Sequence, residues 1–243
     1  FIGIDLAWTY KNETGICMLS DQGEVLHLSS DHYSDDELVD LIRTYADQDI
    51  AIGIDAPLVV NNEKGSRPAE GAFMRHKIHG HHLSVFAVSR SYLMRTYKVI
   101  RGEVLMKKIQ EAIPKISFDK EIKEGQSTFF ETFPSGICAG MFPEIYPVKY
   151  KIKGKVPYET TYKEMLRLLD RFDGLEREGL ISHIGLKEER ANLRKKSHKH
   201  LEDMVDAFLC AYAGYGMYKG FAKTLTYGSV EEGMIMMPEI KII

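Results

Sequence analysis

Gly3-Ile4-Asp5 near the start of the chain and Gly53-Ile54-Asp55 about one βαβ unit later are the same tripeptide, each inside a short apolar run. Side chains alternate along a strand, so in each copy Gly and Asp share one face while Ile4 or Ile54 points to the other. Both carboxylates then stand where a strand is about to end. If the two strands are parallel neighbours, Asp5 and Asp55 are adjacent. Two carboxylates on adjoining apolar strands repel one another and resist desolvation unless a cation or a shared proton holds them, so the repeat points to a metal or acid/base site. The plainer alternative is two unrelated acids serving as helix caps or turn formers.

The surrounding pattern supports parallel neighbours. Ile2 to Ala7 reads as a buried strand, and Gly15 to Leu19 and Glu24 to Ser29 as two more in a meander turned by Asp21-Gln22-Gly23. Ser34 with Glu37 has the form of a capping box. Leu38, Leu41, Ile42 and Tyr45 repeat at helical spacing, which predicts a helix to about Ala46. Ile50 to Asp55 follows as a strand stopped by Ala56-Pro57. A helical crossover lets this fourth strand lie parallel to the first.

At 243 residues, with no linker or low-complexity tract, the expectation is one domain over 1–243 with a helical insertion at about 58–125. Helices are expected from Arg67-Pro68 to His76, from Ser91 to Lys98 and from Gly102 to Ala112, with a His-rich loop between the first two. Thr128 to Thr132 restores a strand carrying Glu131, and Ser135 is placed to cap a short helix after it. Long helices are expected at about Tyr158 to Arg177 and His198 to Lys219, then a hairpin of Thr224 to Tyr227 with Gly233 to Met237.

Three cysteines without ligand-like spacing argue for reduced thiols, and no apolar run approaches the roughly 20 residues of a membrane span. With no signal-peptide pattern, a cytoplasmic protein with no membrane partner is expected. The net charge of −3 hides a segregation: residues 1–66 hold 3 Lys/Arg against 13 Asp/Glu, whereas 67–108 hold 9 against 2, with four His besides. A basic segment beside an acidic floor suits a phosphate-bearing substrate, although a solvated helical face has the same composition.

In the last helix Asp203 and Asp206 share a face, and Asp206 lies in a stripe of small residues, Ala207, Cys210, Ala211, Ala213 and Gly214, that suits close packing on a sheet. The acids Asp5, Asp55, Glu131, Asp203 and Asp206, in this order of elements, resemble those of the ribonuclease H-like fold of ribonucleases H, retroviral integrases and Holliday-junction resolvases. The whole chain resembles the domain-of-unknown-function family 429, described as predicted nucleases of that fold. The match is carried by Gly3-Ile4-Asp5-Leu6-Ala7, Ile54-Asp55-Ala56-Pro57-Leu58, Arg67 with Arg75, Glu131-Thr132-Phe133-Pro134, Glu202-Asp203 to Asp206-Ala207, Cys210-Ala211, and Glu231-Glu232-Gly233 with Pro238.

That resemblance implies an α/β fold with a mixed five-stranded sheet, flanking helices and an inserted helical segment. It implies a metal-dependent nuclease or phosphodiesterase acting on nucleic acid or another phosphoester through two divalent ions. Oxygen-only ligands select Mg2+ or Mn2+, a pair of which about 4 Å apart needs three or four carboxylates. Asp5 would bridge, Asp55 and Asp206 would complete the two sides, and Glu131 or Asp203 would add a ligand or position water. Arg67 and Arg75, about two turns apart on one helix, are the candidate phosphate contacts.

His76, His79, His81 and His82 lack an accompanying Cys or acid at zinc-ligand spacing, and a flexible basic loop explains them as well. Lys149, Lys151, Lys153 and Lys155 alternate and, if extended, line one face of a strand or loop, as a solvated edge does more often than a substrate groove. Two other readings stand beside the nuclease. One is a non-catalytic binding or interaction module on the same fold. The other is an actin-like ATPase or sugar kinase, against which Leu6-Ala7-Trp8 offers neither the Gly nor the hydroxyl residue of a phosphate loop.

Overall fold

The computed structural model describes residues 1–241. Strands β1 (Ile2–Asp5), β2 (Thr14–Leu19) and β3 (Val25–Asp31) form the antiparallel meander expected from the turn at Gly23. Helix α1 (Asp35–Arg43) opens on the full Ser34–Glu37 capping box and stops about a turn before Ala46. Strand β4 (Ala51–Asp55) returns parallel to β1, with Gly3 opposite Gly53 and Asp5 opposite Asp55.

Between β4 and the next long strand the chain runs through α2 (Pro68–Arg75), a hairpin of two-residue strands β5 (Lys77–Ile78) and β6 (His81–His82), α3 (Arg90–Tyr97), α4 (Arg101–Ala112) and β7 (Ile116–Phe118). Strand β8 (Ser127–Glu131) pairs in parallel with β4, placing Glu131 beside Ile54. There follow α5 (Pro134–Met141), α6 (Tyr158–Arg177), the short α7 (Lys187–Ala191), α8 (His198–Lys219) and the hairpin β9 (Ala222–Ser229) with β10 (Gly233–Ile240).

The sheet is mixed, as expected, but has eight strands and not five, in the order β3-β2-β1-β4-β8-β10-β9 with β7 also on β8. The far edge of β8 is divided lengthwise. Strand β7 takes Ser127 to Phe129, and β10 pairs Ile235 with Glu131. The terminal hairpin thus closes one side of the sheet, and the inserted segment is helical only in part. Ser135 does not cap α5: the helix starts from Phe133 with no side-chain cap and has Pro134 in its first turn, where a missing N–H costs nothing.

Alternation assigns the faces. Ile2, Ile4, Ile16, Ile52 and Ile54 bury against Leu38 and Ile42 of α1 and Leu105 and Ile109 of α4. The other face carries Cys17 and Phe130 and is covered by α5, α6 and α8. Helix α8 is buried on nearly every side, so its hydrophobicity has no single stripe.

Glycine decides how close α8 comes. A Cβ on Gly3 would lie 2.0 Å from the Ala207 carbonyl oxygen, and one on Gly15 would lie 2.0 Å from that of Asp203. The helix backbone therefore rests directly on β1 and β2. In the Gly-Ile-Asp repeat the glycine admits the helix and the aspartate on the same face meets what the helix carries.

Candidate metal centre

Three chain segments converge at the C-terminal ends of β1 and β4. Asp5 and Asp55 leave adjacent parallel strands side by side, and α8, seated on the glycines, brings Asp206 over them. Carboxylate oxygens of Asp5, Asp55 and Asp206 lie within 4.8 Å of one another, and no other group of this kind occurs among the described residues. Asp5 and Asp55 are half-buried, and Asp206 is fully buried.

Such crowding raises the cost of ionisation. Burial, with Asp206 and Asp55 as like charges, pushes the Asp5 carboxyl well above the usual range. Burial, reinforced by Asp206 and Glu131 and opposed by Lys151, lifts Asp55 to about 7. Burial raises Asp203 as well, against the pull of Lys199.

Two ammonium groups offset part of this charge. Lys151 Nζ lies 2.5 Å from Asp206 Oδ2, and Lys199 Nζ lies 2.6 Å from Asp203 Oδ1. The buried Tyr150 hydroxyl donates to Asp206 Oδ1. Four aspartates, Asp5, Asp55, Asp203 and Asp206, thus face two lysines on the floor of a cleft of about 280 Å³. A divalent cation would supply the missing positive charge with the oxygen ligands that hard cations prefer.

Glu131 is at the next strand end, as expected, but both its oxygens are taken. Arg67 Nη1 and Nη2 donate to Oε2 and Oε1 at 2.8 and 2.5 Å, and the Leu58 N–H donates to Oε2 at 3.1 Å. Arg67 is 2 % exposed and also donates from Nε to Glu70 Oε1 and from Nη1 to the Val59 carbonyl, while Nη2 lies 2.6 Å from Glu70 Oε1. Four of the five guanidinium N–H groups are hydrogen-bonded, and Nη2 meets Glu70 as an ion pair besides. Arg67 reaches the cleft wall as a buried clamp on two glutamates. Arg75 is exposed at the far end of α2 and does not line the cleft.

The histidines go separate ways. His76 Nδ1 lies 2.5 Å from the Tyr227 hydroxyl, His79 Nε2 bonds the Gly140 carbonyl at 3.2 Å, and His81 packs its edge on Tyr146.

Sequence reasoning missed both lysines as members of the site. Lys151 belongs to the alternating run, yet that run is a loop and turns Lys151 inward while Lys149, Lys153 and Lys155 stay exposed. Lys199 carried a signal that could have found it: it sits one helical turn before Asp203, at the spacing that brings side chains together. Glu70 carried the same kind of signal, three residues after Arg67 on α2, whereas Tyr150 offered none, since its partner Asp206 is 56 residues away.

No curated protein and no solved structure matches the chain. The model of a family described as a protein of unknown function, DUF429, matches residues 3–231, which takes in every element from β1 to β9 together with the whole acidic centre, and the chain belongs to that family.

Proposed function

We propose that the protein is a metal-dependent hydrolase of phosphodiester bonds, built on a ribonuclease H-like sheet and using Mg2+ or Mn2+. The observation that carries this reading is the convergence of Asp5, Asp55 and Asp206 from two parallel strand ends and a buried helix to within 4.8 Å. In support, Asp5 leaves the first strand of a three-stranded meander, Asp55 leaves its parallel neighbour across a helical crossover, and the C-terminal helix crosses the same face.

Asp5, Asp55 and Asp206 would hold the ions. When bound, such ions would polarise a phosphoryl oxygen and lower the pKa of a bound water. Asp203, in hydrogen-bond reach of Asp5, would orient that carboxylate. Lys199, whose side chain is 64 % exposed, is held by Asp203 and Glu202 and would have to leave them to reach a phosphate oxygen. Glu131 and Arg67 fix the end of β8 and the chain after β4 through the bond to Leu58, and so hold the wall against which a substrate rests.

The test is a panel of labelled single-stranded, duplex, hybrid and branched nucleic acids with Mn2+ or with EDTA. At least one should be cut with the metal and spared without it, and Asp55→Asn should abolish the cutting while leaving the protein folded. Absence of cleavage across the panel, with Mn2+ shown to bind, would leave a binding module on the same scaffold.

A further inference from the structure

Immediately beyond Asp5 the chain continues as Leu6-Ala7-Trp8, and Trp8 leads into a group of rings that the acidic centre does not use. Trp8 stacks on Tyr97 with centroids 5.1 Å apart and meets the edge of Phe86 at 6.0 Å. Phe86 packs on Tyr92 at 5.4 Å, and Tyr92 reaches back to Tyr97 at 6.5 Å, closing the ring of four. Rings of this size normally go inside, yet Trp8 is 37 % exposed and Phe86 52 %. Both line the same cleft as Asp5 and Asp206.

We infer that Trp8 and Phe86 form a stacking platform for an unpaired base of a single-stranded nucleic acid whose backbone crosses the acidic floor. The inference rests on the phosphodiester reading of that floor and adds which form of substrate it takes. Three residues from Asp5 place Trp8 at most about 10 Å along the chain from the centre, close enough for neighbouring parts of one strand to touch both.

The chemistry of the surface selects the occupant. One face of Trp8 is covered by Tyr97 and Phe86 stands at 74° to it, and the ring surface that both leave exposed in the cleft suits a flat base. Lys151 and Lys199 stand within the same cleft as the rings, and Arg95 and Lys98 are exposed on and just after the helix that carries Tyr92 and Tyr97, which supplies cations for a phosphate backbone. In a duplex the base faces are already stacked on one another, and only an unpaired base has a face to offer.

Trp8 is the sole tryptophan of the chain, so tryptophan emission reports on the platform alone. The experiment titrates the protein in EDTA, where no cleavage occurs, with a short oligothymidylate and with a duplex of equal length. Binding is followed in parallel by the anisotropy of an end-labelled oligomer. Saturable quenching by the single strand and none by the duplex is expected. Phe86→Ala should weaken single-strand binding roughly 5- to 150-fold, the usual loss for one stacked base, while Met94→Ala, an exposed apolar change on the same segment, should leave it unchanged.

Oligomer binding with unaltered emission, equal quenching by duplex, or quenching by thymidine monophosphate as strong as by the oligomer would each overturn the platform. If Phe86→Ala fails to fold, the wild-type titrations still decide. Quenching by single strands in a protein that binds no Mn2+ would keep the platform and remove the hydrolase. Mn2+-dependent cutting of duplexes with unquenched Trp8 would do the reverse.

Discussion

Arg67 grips Glu131 with both terminal nitrogens, at 2.8 and 2.5 Å, across 64 residues of sequence. An arginine that reads as a phosphate contact is thereby the counter-ion of a buried strand-end glutamate, with Glu70 as its second partner. Removing it would strand two buried carboxylates.

Arg67→Ala should therefore cost stability before it costs substrate affinity. Breaking a buried pair from one side typically loses about 3–5 kcal/mol. Denaturant unfolding of the metal-free protein is the measurement, and a loss below about 1 kcal/mol would contradict the clamp. Arg75→Ala, exposed and outside the cleft, should fall within the ±0.5 kcal/mol usual for surface changes.

Asp55 sets a dependence on pH whose sign follows from its raised value. Its carboxyl titrates at about 7 in the fold against 3.8 ordinarily, so the folded state holds a proton that the unfolded chain has released between those values. This group's stabilising contribution is complete below 3.8 and is lost as pH rises through about 7. Asp55→Asn should flatten that fall in thermal melts of metal-free protein. Mn2+ affinity should move oppositely, rising as pH passes about 7, because Asp55 and the likewise raised Asp5 must lose their protons to act as ligands. Calorimetry in buffers of different ionisation enthalpy would count the protons released.

Lys151 is paired with Asp206 Oδ2, so its ammonium and a cation bound at Asp206 would compete for the same carboxylate. Lys151→Met should lower the melting temperature without metal, since Asp206 then keeps only the Tyr150 hydroxyl. It should also tighten Mn2+ binding by roughly tenfold, as a like charge a few ångströms away is removed. The upward shift in melting temperature on adding Mn2+ should exceed that of wild type. An equal shift would show that the ammonium and the metal do not compete.

Gly3→Ala forces a methyl group to within 2.0 Å of the Ala207 carbonyl, where a backbone cannot yield. The expected loss is at least the ~1–3 kcal/mol of an overpacked core, together with weaker Mn2+ binding as Asp206 is lifted away. Gly154→Ala, which meets nothing within 4 Å, is the control and should change neither.

Much of this centre can be read in the chain because local rules carry it. Strand alternation puts Gly3 with Asp5 and Gly53 with Asp55, a capping box starts the crossover helix, and small residues around Asp206 announce a buried helix. What escapes is set by partners far apart. Nothing in Gly233–Ile240 marks that it will lie along β8, which leaves out β9 and β10, and the three-residue β7 is too short to show a pattern, so the sheet is counted three strands short. Nothing in the alternating lysines shows that Lys151 alone finds Asp206, because a loop's direction follows from the surfaces it crosses. Arg67 looks free until Glu131 and Glu70 are seen around it.

The seat of α8 on Gly3 and Gly15 has one more effect. The gap between helix and sheet is gauged by two main chains in contact, and main chain is the one material that side-chain substitution leaves unaltered. Core residues on either flank can drift in size without re-spacing Asp5, Asp55 and Asp206. The centre is insulated from the wear of its own scaffold.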